Sequence, residues 1–217
     1  MKKYGIVCVV ILSLFTAGTY AEQISSLNLG IGGENFTMKY SSSSDVQYSV
    51  FMPFMLEGNS TWFTSGPVLG PLKLGFDFSF GMGLSGGPKM DGTKQDDWFY
   101  IDEMLGIGLA FLYDIDEVSL IKFTPGLKFN MEEGFYTASG YSGTKEYNLY
   151  LALSFINIAY QRYFSKNFGL NLGFDADIPL VGFWFKNVYY ASKYMGGDDG
   201  GIGAGFNYRF FVGLAIR

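Results

Sequence analysis

The sequence predicts an all-β chain, an antiparallel up-and-down transmembrane barrel of eight strands. Three observations predict it. Large apolar residues recur at every second position along most of the chain, and the positions between them hold Gly, Ala, Ser, Asn and a few charges. Beyond the N-terminus no apolar run approaches the roughly 20 residues that a spanning helix needs. With 48% hydrophobic, 19% aromatic and only 16% charged residues among 217, the chain is neither disordered nor an ordinary soluble domain.

The clearest segment is LKLGFDFSFGMGLS at 72–85. Leu72, Leu74, Phe76, Phe78, Phe80, Met82 and Leu84 share one face, and Lys73, Gly75, Asp77, Ser79, Gly81, Gly83 and Ser85 the other. Before it come a strand with Leu27, Leu29 and Ile31 on its apolar face and one with Val46, Tyr48, Val50, Met52, Phe54 and Leu56. The fourth runs over 99–113, and the acidic turn Asp114-Ile115-Asp116-Glu117 leads to the fifth, where Ile121, Phe123, Leu127, Phe129 and Met131 oppose Lys122, Thr124, Gly126, Lys128 and Asn130. The sixth carries Tyr147 to Phe155, the seventh Phe168 to Leu180, and the eighth Ile202 to Ile216. Connections are expected at 33–45, 86–98, 132–146 and 181–200 on one side and at 57–71, 114–117 and 161–167 on the other. Ten strands are the alternative, with Gly32-Gly33 starting an additional hairpin.

The apolar face is expected to point outward. An eight-stranded barrel has an interior only just wide enough for side chains, and eight rows of Phe, Leu, Ile and Met would overfill it. Facing lipid, the same rows need no cavity, and ring closure satisfies the backbone hydrogen bonds that a bilayer demands.

Residues 1–21 read as a secretory signal peptide, with Lys2 and Lys3 before the apolar stretch Ile6 to Phe15 and a small-residue site ending at Ala21. The barrel then occupies 22–217. Cys8 is the only cysteine and lies in this leader, so thiolate chemistry is excluded from the remainder. Taking Lys2 and Lys3 from the 15 basic residues leaves 13 against 20 acidic ones, a net charge of −7. That balance excludes nucleic acid as a partner.

No histidine occurs, which excludes His-based triads and His metal sites, and the carboxylates show no catalytic spacing. The chain is therefore expected not to be an enzyme and to need no cofactor. GGDDGG at 196–201 and DGTKQDD at 91–97 lack the ligand pattern of a calcium loop, so no metal is expected.

Eight charges are expected inside the barrel: Lys73, Lys122, Lys128 and Arg209 against Asp77, Asp102, Asp175 and Asp177. Buried charges persist only when paired, so a salt-bridge network is expected, either plugging the lumen or lining a narrow path. Trp62, Trp98, Tyr113, Tyr147, Tyr160, Tyr163, Phe164, Phe168 and Trp184 fall near strand ends and are expected in the two aromatic girdles. Phe185, Lys186, Tyr189, Tyr190, Lys193 and Tyr194 form a candidate interaction loop.

The leader, the eight dyad-repeat strands and the aromatic-rich final strand FNYRFFVGLAIR resemble the small eight-stranded outer-membrane barrels of bacteria, the group of the OmpA membrane domain, OmpX and outer membrane protein W, with a fainter likeness to small spirochaetal barrels. The resemblance covers the whole chain after the leader. It implies an outer-membrane location, lipid and the assembly machinery as partners, and a choice of two functions. The function expected first is passage of small solutes, hydrophobic ones included, through a narrow channel or the barrel wall; the alternative is a barrel with a plugged lumen that adheres to a host or cell-surface ligand through its external loops. Such barrels usually end on an aromatic residue, whereas this chain ends on Ile216-Arg217.

Overall fold

The alternation becomes a single antiparallel sheet closed on itself. The computed structural model describes residues 21–40, 44–64, 66–68, 70–139, 143–190 and 193–217; the expected leader, apart from Ala21, lies outside the described residues. In chain order the strands are β1 (Ala21–Tyr40), β2 (Val46–Thr64), β3 (Leu72–Gly86), β4 (Lys89–Met90), β5 (Thr93–Lys94), β6 (Trp98–Asp114), β7 (Ser119–Phe123), β8 (Gly126–Tyr136), β9 (Lys145–Tyr163), β10 (Phe168–Tyr190) and β11 (Lys193–Ile216).

Eight staves form the ring. β7 and β8 are one stave interrupted at Thr124-Pro125, where proline cannot donate to the ladder, and β11 closes on β1. The paired residues β4 and β5 make a small hairpin in the connection between β3 and β6, not additional staves. Gly32 and Gly33 lie within β1, so the ten-stranded alternative is set aside.

The register fixes the barrel's shape. From Leu29, cross-strand partners lead through Leu56, Met82, Glu103, Met131, Leu149, Phe183 and Gly201 to Lys39, ten residues further along β1. A shift of that size over eight staves tilts the strands about 40° from the barrel axis. Such strands cross the hydrocarbon in about 9 to 11 residues, and most staves are much longer, with 19 residues in β2 and 23 in β10.

The strands therefore extend well into segments expected to be connections. Residues 33–40, 57–64 and 132–136 are strand, and 181–200 is mostly the paired upper part of β10 and β11. Short turns at one end (residues 115–118 and 164–167) and long hairpins at the other set the orientation, because such barrels keep short turns on the periplasmic side. In the lower turn the Val118 N–H donates to Asp116 at 2.9 Å, and that bond holds the Asp116 carboxyl below its usual range.

Leu27, Leu29, Ile31, Phe78, Phe80, Met82, Leu105, Ile107, Leu109, Leu170, Leu172, Phe210, Val212 and Leu214 are exposed on the outer face, with no protein over them. This is the band that faces lipid. Glu103 shares this face, since β6 pairs with β3 without any bulge.

Local bulges overturn the face expected for the upper half of β2. Tyr48, Val50 and Met52 point inward, whereas Phe54 keeps the outward direction. Gly30 pairs with Met55 and Gly32 with Met52, so β2 gains a residue beside Pro53 and the alternation changes parity there. β9 and β10 carry comparable shifts at Ala176/Asp177 and Pro179/Val181.

Close packing inside explains one inward glycine. A Cβ on Gly173 would strike the ring of Phe211, which lies across it. Gly173→Ala is expected to destabilise the barrel by about 1–3 kcal/mol through overpacking. A lower temperature for the folded-to-unfolded gel mobility shift would show it.

Candidate functional site: the filled lumen and the external hairpin

The lumen is built in layers, each from the small-residue face of the strands. At the periplasmic end Ile24, Phe63, Ala110, Leu112, Leu120, Tyr163 and Ala215 form an apolar plug. Above it, Asn171 donates to Asn28 at 2.8 Å and Ser26 to Asn59 at 3.0 Å. Lys122 donates to both Asp77 and Thr61 at 3.0 Å, and Thr61 donates to the same Asp77 oxygen.

The middle layer holds the densest charge. Lys128 bonds to Asp175 and stands 3.2 Å from Asp177 Oδ1, while Arg209 Nη1 reaches Asp175 at 3.0 Å and Asp177 at 2.5 Å. Arg209 Nη2 donates to Asn130 at 2.9 Å, and Ser154 donates to Asp175 at 3.0 Å. Four strands, β8, β9, β10 and β11, are thereby tied across the barrel. Cavities beside this layer measure about 10 Å³, about the least that holds one water.

The upper layer is aromatic and acidic. Phe36 stacks on Tyr48 with centroids 4.6 Å apart, Tyr40 packs on Trp184 at 4.4 Å, and Trp98 packs on Tyr136 at 5.1 Å. Tyr48 and Asn148 donate to Glu132 at 3.1 and 2.6 Å, and Tyr100 donates to Glu146 at 3.2 Å. Lys186 lies over the Trp98 ring at the mouth, 4.7 Å from its centroid.

Seven of the eight expected interior charges lie buried in the lumen: Asp77, Asp102, Lys122, Lys128, Asp175, Asp177 and Arg209. Asp102 has no hydrogen-bond partner on either oxygen and stands opposite Glu132 in the β6–β8 register. Lys73 stands apart at the periplasmic rim, 2.9 Å from Asp114 and 3.7 Å from Glu22.

The expected balance of four against four needs correction. Glu34, Glu57, Glu132 and Glu146 are also buried inside, so the buried lumen holds eight carboxylates against Lys122, Lys128 and Arg209. All four lie in segments read as connections. Continuing the alternation would have found three of them: Glu34 continues the row Ser26, Asn28, Gly30, Gly32; Glu132 continues Lys128 and Asn130; and Glu146 continues Asn148, Tyr150 and Ala152. Among the described residues, no group of three or more carboxylates is placed to hold a metal ion.

The girdle also needs correction. Trp62, Tyr113, Phe164 and Phe168 are exposed toward the periplasmic end, and Tyr147 and Tyr160 are half-buried on the outer wall. Trp98, Tyr163 and Trp184 instead turn into the lumen. Trp98 follows from strict alternation with the outward Phe99, and the β9 and β10 shifts reverse the parity of Tyr163 and Trp184.

The candidate interaction loop is a β-hairpin. Phe185 stacks on Tyr147 with centroids 4.9 Å apart, and Tyr189 packs on Tyr194 at 5.4 Å. Tyr190, Lys193, Tyr194 and Met195 are exposed near its tip, whereas Lys186 is drawn inward over Trp98. At the chain's end Arg217 lies 5.3 Å from the Tyr163 ring centroid and 3.6 Å from Glu22, joining the last strand to the first.

This architecture is that of the small eight-stranded outer-membrane β-barrels. Among solved structures, a major outer membrane protein from Thermus thermophilus is similar with a TM-score of 0.53 and 14% identity, over 89% of this chain and 98% of that one. Neisserial surface protein A is similar at a TM-score of 0.41 and 9% identity over 88% and 97% of the two chains. The attachment invasion locus protein Ail of Yersinia pestis is similar at 0.37 and 12% over 89% and 99%. No protein-family model and no curated protein sequence matches the chain.

Proposed function

We propose that this chain is a non-enzymatic outer-membrane barrel that acts through its external hairpins on a partner at the cell surface, its lumen serving as a rigid strut. The observation that carries this reading is the filling of the lumen from end to end: apolar plug, ion-paired middle, aromatic cap. Of the two functions weighed from sequence, solute passage needs a path through these layers, and surface attachment does not. The exposed Tyr190, Tyr194 and Met195 at the hairpin tip supply the kind of aromatic and flexible apolar surface that carries binding energy. Export by a leader ending at Ala21, insertion by the assembly machinery and a host or cell-surface ligand complete the proposal.

Two measurements test it. In planar bilayers the heat-modifiable, folded protein is expected to show no discrete conductance, and channel openings that respond to Asp175→Asn would reverse the reading. On cells, Tyr190→Ser with Tyr194→Ser is expected to lower attachment about tenfold or more, as loss of two aromatic anchors does, with gel mobility unchanged.

A further inference from the structure

The outer wall is not equally apolar all round. A strand tilted about 40° gains about 2.5 Å of height per residue, so the roughly 25 Å apolar band of such a barrel takes about ten residues. Counted from Tyr113 at the periplasmic girdle, that span ends at Glu103 on β6; from Trp62 it ends at Met52 on β2, and from Tyr160 at Tyr150 on β9. Glu103 thus sits at the external boundary of the hydrocarbon. Outward residues beyond these points stand above it.

There the two sides of the barrel differ. On β1 and β2 the outward residues are polar, with Asn35 opposite Ser49 and Thr37 opposite Gln47. The wall even opens on that side, because β2 leaves β3 at Phe54–Leu84 and meets β4 only at Ser49–Lys89. On β6, β8, β9 and β10 the wall is fully paired and stays apolar. Phe99 stands opposite Phe135, and Ile101, Glu133, Tyr147 and Phe185 form the next cross-strand row. Apolar surface that projects beyond the hydrocarbon on one side only marks a place where a protein is covered.

The charges in this patch indicate by what. Lys145 Nζ lies 2.6 Å from Glu133 Oε1 and 4.8 Å from the Phe135 ring centroid, and Tyr147 donates to Glu133 at 2.9 Å. Both charged side chains are half-buried on the outer wall, side by side among aromatic rings. One acid beside one base, with no excess of either, makes the patch complementary to itself.

We propose that this wall is the contact between two copies of the chain, related by a twofold axis along the membrane normal. Copies inserted in the same direction hold the patch at the same height, and the axis sets Glu133 of each toward Lys145 of the partner subunit. Below, the patch runs into the lipid-facing band through Met131 and Leu149, which stand opposite each other. The contact therefore extends into the bilayer, and it relieves the mismatch of an apolar wall taller than the hydrocarbon.

The test uses the full chain in lipid vesicles, with Cys8→Ser removing the one native thiol. Leu149→Cys is expected to give dimers with a short thiol-reactive crosslinker, and Thr37→Cys, on the polar side, to give none. Lys145→Glu is expected to weaken the dimer about tenfold or more, because like charges then face each other, and Glu133→Lys to do the same. Mixed together, the two charge variants are expected to pair as well as the parent does. Single copies at every protein-to-lipid ratio, equal crosslinking from both cysteine positions, or mixed variants that stay apart would overturn the proposal. The cysteine comparison stands even if a charge reversal fails to fold.

Discussion

Arg209→Met is expected to cost about 3–5 kcal/mol of stability, the usual penalty for removing one partner of a buried charge cluster. Arg209 is 3% exposed and contacts Asp175, Asp177 and Asn130. Without it, two carboxylates from one strand share only Lys128, in a lumen already rich in acid. The penalty is therefore not the worth of the pair but the cost of leaving charge uncompensated. Unfolding in urea, followed by tryptophan fluorescence in lipid vesicles, would measure it. Adding Asp177→Leu to Arg209→Met should recover part of the loss, because it removes the stranded charge. A single variant as stable as the parent would show that the cluster is not what ties β8, β9, β10 and β11 together.

The second large effect concerns the outer face. Ile107 lies in the middle of the apolar band, between outward Leu105 and Leu109 and opposite Phe78 and Leu127. Ile107→Arg is expected to destabilise the folded barrel in a bilayer by about 2–4 kcal/mol, and Phe99→Arg, at the external end of the same strand, by about 0–1 kcal/mol. Both side chains are exposed in the isolated protein, so a water-facing surface would tolerate either change equally. The difference between them thus reports burial in lipid. Equal effects in refolding titrations would contradict the assignment of this face.

Much of the fold was legible because a barrel in lipid is a strongly patterned object. In β3 every outward residue is apolar and nearly every inward one small or polar, and no bulge interrupts its pairing with β6. The same regularity places Asp77, Lys122, Lys128, Asp175, Asp177 and Arg209 on the inner face from sequence alone. Near the external end the pattern fades, since neither face of a strand that has left the membrane needs to be apolar. That is why Glu34, Glu132 and Glu146 fall among the expected connections, although they continue inward rows.

Other features were out of reach for a different reason. Pro53, Pro125 and Pro179 each mark a break in the ladder, yet each break has a different result: an open wall at Pro53, a divided stave at Pro125 and a parity shift beside Pro179. Proline signals a missing donor, but which neighbour it loses depends on strands distant in the chain.

The sequence by itself determined the strand period, the outward direction of the apolar face and the inward position of the central charges, because each is a local property repeated along the chain. Tertiary structure alone decided which charges meet, where the register shifts, and that Tyr163 and Trp184 plug or cap the lumen. Those outcomes depend on closure of the ring, which sets a single register for all eight staves at once. A one-residue bulge in any of them exchanges inside for outside above that point.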